Sequence, residues 1–387
     1  MNRFQIRTEV YYGPDSLRYL NRLSGDVLIV TDAFLAASPV MTTVTAALTG
    51  ARVTVFDQVQ PDPTIEVVTA GYAAFLAAQP QALIAVGGGS SIDTAKAVHK
   101  IALEQGYRSP ASTGSPGAPP GHVDFIVIPT TSGSGSEMTS YAVITNKATQ
   151  SKIAMSSDDM YADVAILDPA MVITTPPRLT ADTGMDALTH AIEAYVSLRH
   201  TDFADAMAEK ALHLLFEYLP IAYVDGTDKD ARERVHNAAC LAGMAFENAG
   251  LGITHSLAHA IGGAFHAPHG RLNALILPVV MEFNAGTLKV TKDPLSPTAL
   301  RYAQLGRMLG ATTASTRNQV LGLIAIIRHL RRDLEMPERI TDMGIPPYEF
   351  VAAIPELART ALADRCTPDN PRTVTTTDLE GLLRFLL

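Results

Sequence analysis

Four short apolar runs restrict what this chain can fold into. They are Val27-Leu28-Ile29-Val30, Arg52-Val53-Thr54-Val55-Phe56, Ala82-Leu83-Ile84-Ala85-Val86 and Phe125-Ile126-Val127-Ile128, with helix-like sequence between them. Strands that are apolar throughout, instead of alternating, are buried on both faces. Strands that alternate with helices build a mostly parallel sheet covered by helices on each side. Phe4-Gln5-Ile6-Arg7-Thr8-Glu9-Val10 alternates at period two and reads as a further strand. Gly13-Pro14-Asp15-Ser16 then turns the chain into a helix over 17–23. The segment 152–167 returns to the sheet, with Val164-Ala165-Ile166-Leu167 as its strand. Pro169, Pro176 and Pro177 mark the exit, and the domain boundary is expected near residue 178. The Gly-, Pro- and Ser-rich stretch 106–121 reads as a surface loop within this first domain.

From residue 179 to 387 the pattern changes to helical spacing. Helices are expected over 180–198, 203–219, 230–248, 251–264, 272–285, 298–309, 315–331, 348–362 and 376–386, which makes the second domain all-helical. With 387 residues, 47% hydrophobic and 18% charged, the chain can bury two cores. The most apolar stretch, 241–265, carries Glu247, Asn248, His255 and His259, which argues for a buried helix pair and against a membrane span. A net charge of −9 without a basic run excludes nucleic acid and an anionic membrane surface as partners. Two cysteines, Cys240 and Cys366, build neither a disulfide framework nor a cysteine-rich zinc site, and fit a reducing cytoplasm. The N-terminus has no apolar signal core.

In a parallel sheet, ligands sit at the carboxyl ends of the strands. After the third run comes Gly87-Gly88-Gly89-Ser90-Ser91-Ile92-Asp93 and then a helix. Glycines admit a phosphate close to the backbone, and the helix N-terminus offers free N–H groups and a positive dipole end. Ile92 stands at the last glycine position of G-x-G-x-x-G, so this is not that fingerprint; a tight turn before a helix is the plainer reading. A second small, hydroxyl-rich loop, Pro129-Thr130-Thr131-Ser132-Gly133-Ser134-Gly135-Ser136-Glu137, follows the fourth run and weakens the plainer reading. Asp32 ends the first run. It can accept from a ribose diol and repel a 2′-phosphate, or simply cap a helix.

In the second half, Asp186 and His190 are four apart, as are His255 and His259, so each pair shares a helix face; His269 lies between Pro268 and Gly270. A single helical histidine is more often a satisfied core or surface group. One carboxylate with several imidazoles among Ala, Gly and Leu is hard to bury without a shared partner, and a divalent metal such as iron, zinc or nickel supplies one. His200, His213, His236 and His266 are near in sequence and are not excluded by spacing.

These motifs resemble the iron-containing (group III) alcohol dehydrogenases over essentially the whole chain. The likeness is carried by Gly87-Gly88-Gly89-Ser90 with Asp93, by Pro129-Thr130-Thr131 with Gly133, Gly135, Ser136 and Glu137, by Thr183-Gly184 with Asp186 to His190, and by Pro268-His269-Gly270. The stretches 62–65, 184–186, 238–249 and 370–372 are closest to the branch of propanediol-utilising bacterial microcompartments. The resemblance implies an α/β N-terminal dinucleotide-binding domain (1–178, a mostly parallel, Rossmann-like sheet), an all-α metal-binding, catalytic C-terminal domain (179–387), and an active site between them. It implies Asp186, His190, His255 and His269 as ligands of Fe2+, with Zn2+ as the alternative ion. His259 is implied near substrate and nicotinamide as the catalytic histidine. For NAD(H) it implies Asp32 at the adenosine ribose, Gly88, Gly89 and Ser90 at the pyrophosphate, and Asp93, Thr130, Thr131, Ser134, Lys152 and Leu179 along the rest of the site. Two departures stand out: Ser134 where threonine is commoner, and Arg271 where smaller residues are frequent.

The activity so implied interconverts a short-chain aldehyde, propanal-like, and its primary alcohol, recycling NADH to NAD. Its expected setting is a homodimer or higher homo-oligomer in the cytoplasm, inside a microcompartment with its enzymes or shell. The rivals are a zinc-type polyol or diol dehydrogenase, a cyclising lyase on the same scaffold, and a shell-associated protein with a relict site. The lyase would need a basic cluster for a phosphate, and only Lys152, Arg178 and Arg271 are candidates.

Overall fold

A computed structural model describes residues 3–109, 120–148, 151–288 and 295–387. Most of the loop expected over 106–121 lies outside the described residues. The chain divides into two compact units, and neither is one continuous stretch. One comprises Gln5–Thr175 with Gly226–Gly243. The other joins the extreme N-terminus to Pro176–Asp225 and Met244–Leu387.

The first unit is built on a six-stranded parallel sheet. Its strands are β1 (Glu9–Tyr12), β2 (Ser24–Asp32), β3 (Gly50–Val59), β4 (Ala82–Gly87), β5 (Asp124–Pro129) and, after a separate hairpin, β8 (Val164–Leu167). The spatial order is β1-β8-β5-β4-β2-β3. Helices α1 (Ala33–Ala36), α2 (Pro39–Ala46), α3 (Ile65–Ala78) and α4 (Gly89–Glu104) connect the strands. Register explains why the apolar runs do not alternate: Leu28 lies beside Leu83, and Leu83 beside Phe125, while Ile29 lies beside Ile84, and Ile84 beside Ile126. The Leu28–Leu83–Phe125 row packs under Phe75, Ile92 and Val98 of α3 and α4. The Ile29–Ile84–Ile126 row faces Leu20, Val40 and Val44 on the opposite side. Both faces are therefore core at β2, β4 and β5; the run 52–56 is not, because β3 is the edge strand, with Val55 exposed and Phe56 buried.

Two local expectations change. The strand expected over 4–10 occupies Glu9–Tyr12, because its partner β8 has four residues and offers pairing only there. The segment after residue 140 does not run straight back into the sheet. It first makes an antiparallel hairpin of β6 (Tyr141–Asn146) and β7 (Ser151–Ser156), a two-stranded sheet of its own.

The second unit is helical: α5 (Pro177–Val196), α6 (Asp202–Val224), the end of α7 (Lys229–Ala249), α8 (Ile253–Phe265), α9 (His269–Ala285), α10 (Thr298–Met308), α11 (Thr316–Asp333), α12 (Pro347–Ala363) and α13 (Thr376–Arg384). A core of Leu257, Ile261, Leu275, Phe350, Ile354 and Leu382 joins α8, α9, α12 and α13. Helix α9 begins at His269, earlier than the expected 272. Pro268, extended at ψ 126°, is its cap, and the helix starts with the next residue. No described helix is long and apolar enough to cross a membrane.

Candidate metal centre and cofactor loops

Three helices bring the predicted ligands together. Asp186 and His190 lie one turn apart on α5, His255 is in the first turn of α8, and His269 opens α9. Helix α9 can approach α5 this closely because residue 270 is glycine: a Cβ there would lie 2.0 Å from the Asp182 carbonyl oxygen. His269 Nε2 stands 3.4 Å and His255 Nε2 3.9 Å from Asp186 Oδ1. The His190 ring stacks on His255 at 4.7 Å and on Phe246 at 4.4 Å.

The hydrogen bonds at this centre do not close without a further group. Asn273, one turn after His269, places its amide Nδ2 2.7 Å from Asp186 Oδ1, 3.1 Å from His269 Nε2 and 3.2 Å from His255 Nε2. An amide nitrogen has two protons for those three acceptors. Its Oδ1 and His190 Nδ1 are buried without a partner. Three lone pairs converging on one point, flanked by orphaned buried atoms, suit a cation, and one carboxylate with imidazoles suits iron or zinc.

The protonation states agree. Burial alone would raise the Asp186 carboxyl, but His190, His269 and the Asn273 amide outweigh it and hold it at about 2. Burial, reinforced by the neighbouring imidazoles, pushes His255 well below its ordinary value, so it is neutral and able to ligate. Its tautomer is set by Glu193, whose Oε2 lies 2.7 Å from His255 Nδ1. A carboxylate only accepts, so the proton is on Nδ1 and the lone pair on Nε2 faces the centre. Glu193 is itself held by the N–H groups of Gly252 (2.9 Å) and Thr254 (2.7 Å) at the start of α8. His259, one turn beyond His255, stacks on His269 at 5.3 Å, and its Nδ1 lies 2.9 Å from Asp364.

The sheet unit carries the predicted cofactor residues. The strand order reverses between β2 and β4, and that switch point is where the carboxyl ends leave a crevice. Asp32 ends β2, and Gly88 is the N-cap of α4 after β4. Gly87 has φ 152°, and a Cβ on it would lie 2.3 Å from Ser91 Oγ, so only glycine fits there. The first-turn N–H groups of Gly89 and Ser90 have no intrahelical acceptor. Thr131 and Ser134 pack within 3.4 Å of where Cβ atoms on Gly88 and Gly89 would stand, and the Thr130 N–H is tied to Gly87 O at 3.0 Å. The two loops form one surface.

The remaining cofactor residues are placed differently. Asp32 does cap α1, accepting from Leu35 N at 2.9 Å through Oδ1. Asp93 has both oxygens committed, one to Ser136 Oγ (2.7 Å) and one to Val143 N (2.9 Å), so it braces the second loop instead of facing a ligand. Lys152 is half exposed and paired with Asp62 at 2.6 Å. Leu179, half exposed on α5, belongs to the helical unit. Arg271 is paired with Asp182 at 2.8 Å and nearly buried, which occupies one of the cations a phosphate-binding lyase would need.

Glu193, Asn273 and Asp364 were not singled out in the sequence. Glu193 and Asn273 carried a usable signal, lying three and four residues after His190 and His269 on the same helices. Asp364 lies 105 residues from His259 and only the packing of α12 on α8 brings it near.

Comparison with known proteins gives the same reading. The family model for iron-containing alcohol dehydrogenase matches residues 7–169, and that for the C-terminal part of the same family matches 180–387. The 1-propanol dehydrogenase PduQ of Salmonella typhimurium is 41% identical over 392 aligned residues, covering all of both chains. A solved 1,3-propanediol oxidoreductase superposes with TM-score 0.88 at 31% identity over all of both chains. The sulfoacetaldehyde reductase of Bifidobacterium kashiwanohense, solved with NAD+, gives TM-score 0.84 at 27% identity, covering 100% of this chain and 98% of that one. These matches support an alcohol dehydrogenase and not the polyol-dehydrogenase or lyase alternatives. The chain belongs to the iron-containing alcohol dehydrogenases and is an oxidoreductase of alcohols and aldehydes.

Proposed function

We propose that this enzyme reduces a short unbranched aldehyde, propanal or a near homologue, to the primary alcohol and so returns NADH to NAD. The observation that carries the metal half of this reading is the convergence of Asp186, His255 and His269 on one point, with His190 stacked beside them. Those four residues would hold the ion, with residues 179–387 serving as the metal-binding, catalytic domain and 1–178 as the nucleotide-binding domain. When bound, ferrous iron supplies Lewis acidity to the carbonyl oxygen and NADH supplies the hydride. The chain's own part is to fix the ligand lone pairs, to hold the dinucleotide and to move one proton. Asp32 holds the ribose diol through the oxygen its helix cap leaves free, favouring NAD over NADP. Gly88, Gly89 and Ser90 hold the pyrophosphate, with Thr130, Thr131, Ser134 and Leu179 alongside, Lys152 at the rim and Asp93 acting through the loop it braces. His259 is the group that hands the proton to the product oxygen. The 41% likeness to a 1-propanol dehydrogenase supports the aldehyde assigned; the proposed setting is a homodimer or higher homo-oligomer in the cytoplasm, within a bacterial microcompartment.

The test is metal analysis of anaerobically purified protein with an aldehyde chain-length series under NADH oxidation. One iron per chain and a kcat/KM maximum near three carbons are expected. Asp186→Ala and His269→Ala should lose metal and turnover together, and stoichiometric iron in either variant would reject the ligand set.

A further inference from the structure

The helical unit contains a second cluster of metal-ligating types, His259, Asp364 and Cys366. It differs from the first in its hydrogen bonds. Asp364 Oδ2 faces His259 Nδ1 at 2.9 Å; Oδ1 accepts from Cys366 N at 2.8 Å and lies 3.2 Å from Ser256 Oγ. Ser256 Oγ donates to Asp364 and lies 2.8 Å from Thr367 Oγ1, which donates to it and also lies 2.6 Å from the Ala361 carbonyl. No atom of this cluster is buried without a partner, in contrast to Asn273 and His190 of the first. Burial beside Asp364 pushes the Cys366 thiol well up, so it stays protonated and is a poor ligand. The cluster is a satisfied network and not a second ion site.

The geometry of that network has a direction. A carboxylate can only accept, so the His259 ring carries its proton on Nδ1. The ring lies parallel to His269, 12° apart, and edge-on to His255 at 6.1 Å. Its side chain is about one-third exposed. Asp364 is held by the backbone of the turn that ends α12 and by Ser256, one turn before His259 on α8. Both ends of the pair are therefore fixed by packed helices.

We propose that Asp364 is a positioning residue for the reaction: it locks His259 in the Nδ1–H form and leaves Nε2 as the single ring atom through which the substrate proton passes. This rests on the assignment of His259 as the proton carrier. When bound, NADH would supply the hydride to the carbonyl carbon and leave as NAD+. Nε2 first takes a proton from solvent; that N–H bond then breaks as the alcohol O–H forms, which returns the ring to its Nδ1–H form facing Asp364. The arrangement is the carboxylate–imidazole logic of proton-relaying hydrolases, with a hydroxyl product in place of a nucleophile.

The test compares full-length Asp364→Asn, His259→Ala and the double variant. Asparagine keeps the shape but donates to Nδ1, which moves the ring proton to Nε2. Turnover in Asp364→Asn should fall roughly 100-fold, with a new solvent isotope effect on kcat, while iron content and NADH affinity hold. In the His259→Ala background the same change should add nothing, whereas multiplicative losses would overturn the proposal. On zinc-loaded protein, 15N spectra should report His259 as Nδ1–H in the native chain and Nε2–H in Asp364→Asn. A native Nε2–H form, or a second equivalent of bound metal lost with Asp364, would also overturn it. Should Asp364→Asn fail to fold, Ser256→Ala, which loosens the carboxylate and leaves the pair, should lower kcat with the same isotope signature; unchanged kcat there counts against Asp364. Full activity in His259→Ala would instead sink the underlying role of His259, with the tautomer result still standing.

Discussion

At the scale of single residues, the centre depends as much on groups that fix the imidazoles as on the imidazoles. Glu193 is the clearest: one carboxylate caps the start of α8 through Gly252 and Thr254 and sets the tautomer of His255. Glu193→Gln can still accept one of those bonds but can turn its amide N–H toward Nδ1, which would put the lone pair on the wrong nitrogen. Metal affinity should fall roughly 10–100-fold, read by competition with a chelator, while helix content is retained; unchanged affinity would reject the role. Spacing in the sequence was enough to pair Asp186 with His190 and His255 with His259, because i,i+4 neighbours share a helix face. It could not separate ligand from neighbour, since what divides His255 from His259 is tertiary: His255 is buried with Glu193 at Nδ1 and Asp186 and Asn273 at Nε2, while His259 is part-exposed with Asp364 at Nδ1. Asp32 shows the same limit: its helix-cap and ribose-binding readings were posed as alternatives, yet a carboxylate has two oxygens and the cap uses one.

At the scale of elements, most of the site follows from three helices and one close approach. Gly270 lets α9 lie against the backbone of α5 at Asp182. Gly270→Ala would drive a methyl group into that carbonyl and move His269 and Asn273 away from Asp186. A destabilisation of roughly 1–3 kcal/mol is expected, with weaker metal binding than the stability loss alone explains; denaturant midpoints with and without metal would show it, and a variant that binds metal normally would refute it. The helices of the second half were legible because most are long apolar patterns at helical spacing that begin after a Pro, Gly or hydroxyl residue. The buried strands were legible because both faces are core. The β6–β7 hairpin was not, because its pairing is local to itself and leaves no apolar run of the kind that marks the parallel strands. The start of α9 was placed late because a histidine directly after a proline reads as loop, and Pro268, which caps α9 without a side-chain hydrogen bond, is not one of the usual cap residues.

At the scale of the whole molecule, acid should weaken the sheet unit through His236. Burial depresses this histidine to about 4, with Ser132 Oγ 2.9 Å from Nδ1. The unfolded chain takes up that proton near pH 6.5, so stability is intact above that value. It declines as pH falls toward 4, by up to about 3 kcal/mol for this one group. Urea midpoints at pH 7 and pH 4.5 should separate by less in His236→Gln than in the native chain; equal separations would show that other groups govern the acid response. His236 also exposes what the sequence could not show about domains. A boundary near residue 178 separates the strand-rich from the helix-rich half of the sequence, but Gly226–Gly243 returns to the sheet unit, buries His236 and Arg232 there, and ties Arg232 to the Thr175 carbonyl at 2.7 Å. No composition change marks that return, because helical sequence looks alike whichever unit it joins.

That return sets an order on biosynthesis. The ribosome releases the six strands first, yet the unit they form lacks its last piece until Gly243 has been made. By then α5 and α6 have emerged, including Asp186 and His190, while the helices bearing His255 and His269 are still to come. For that interval the nascent chain holds an apolar α5 without α9 to cover it, which is the stage at which a holding chaperone or a slow stretch of translation would decide the yield of folded enzyme.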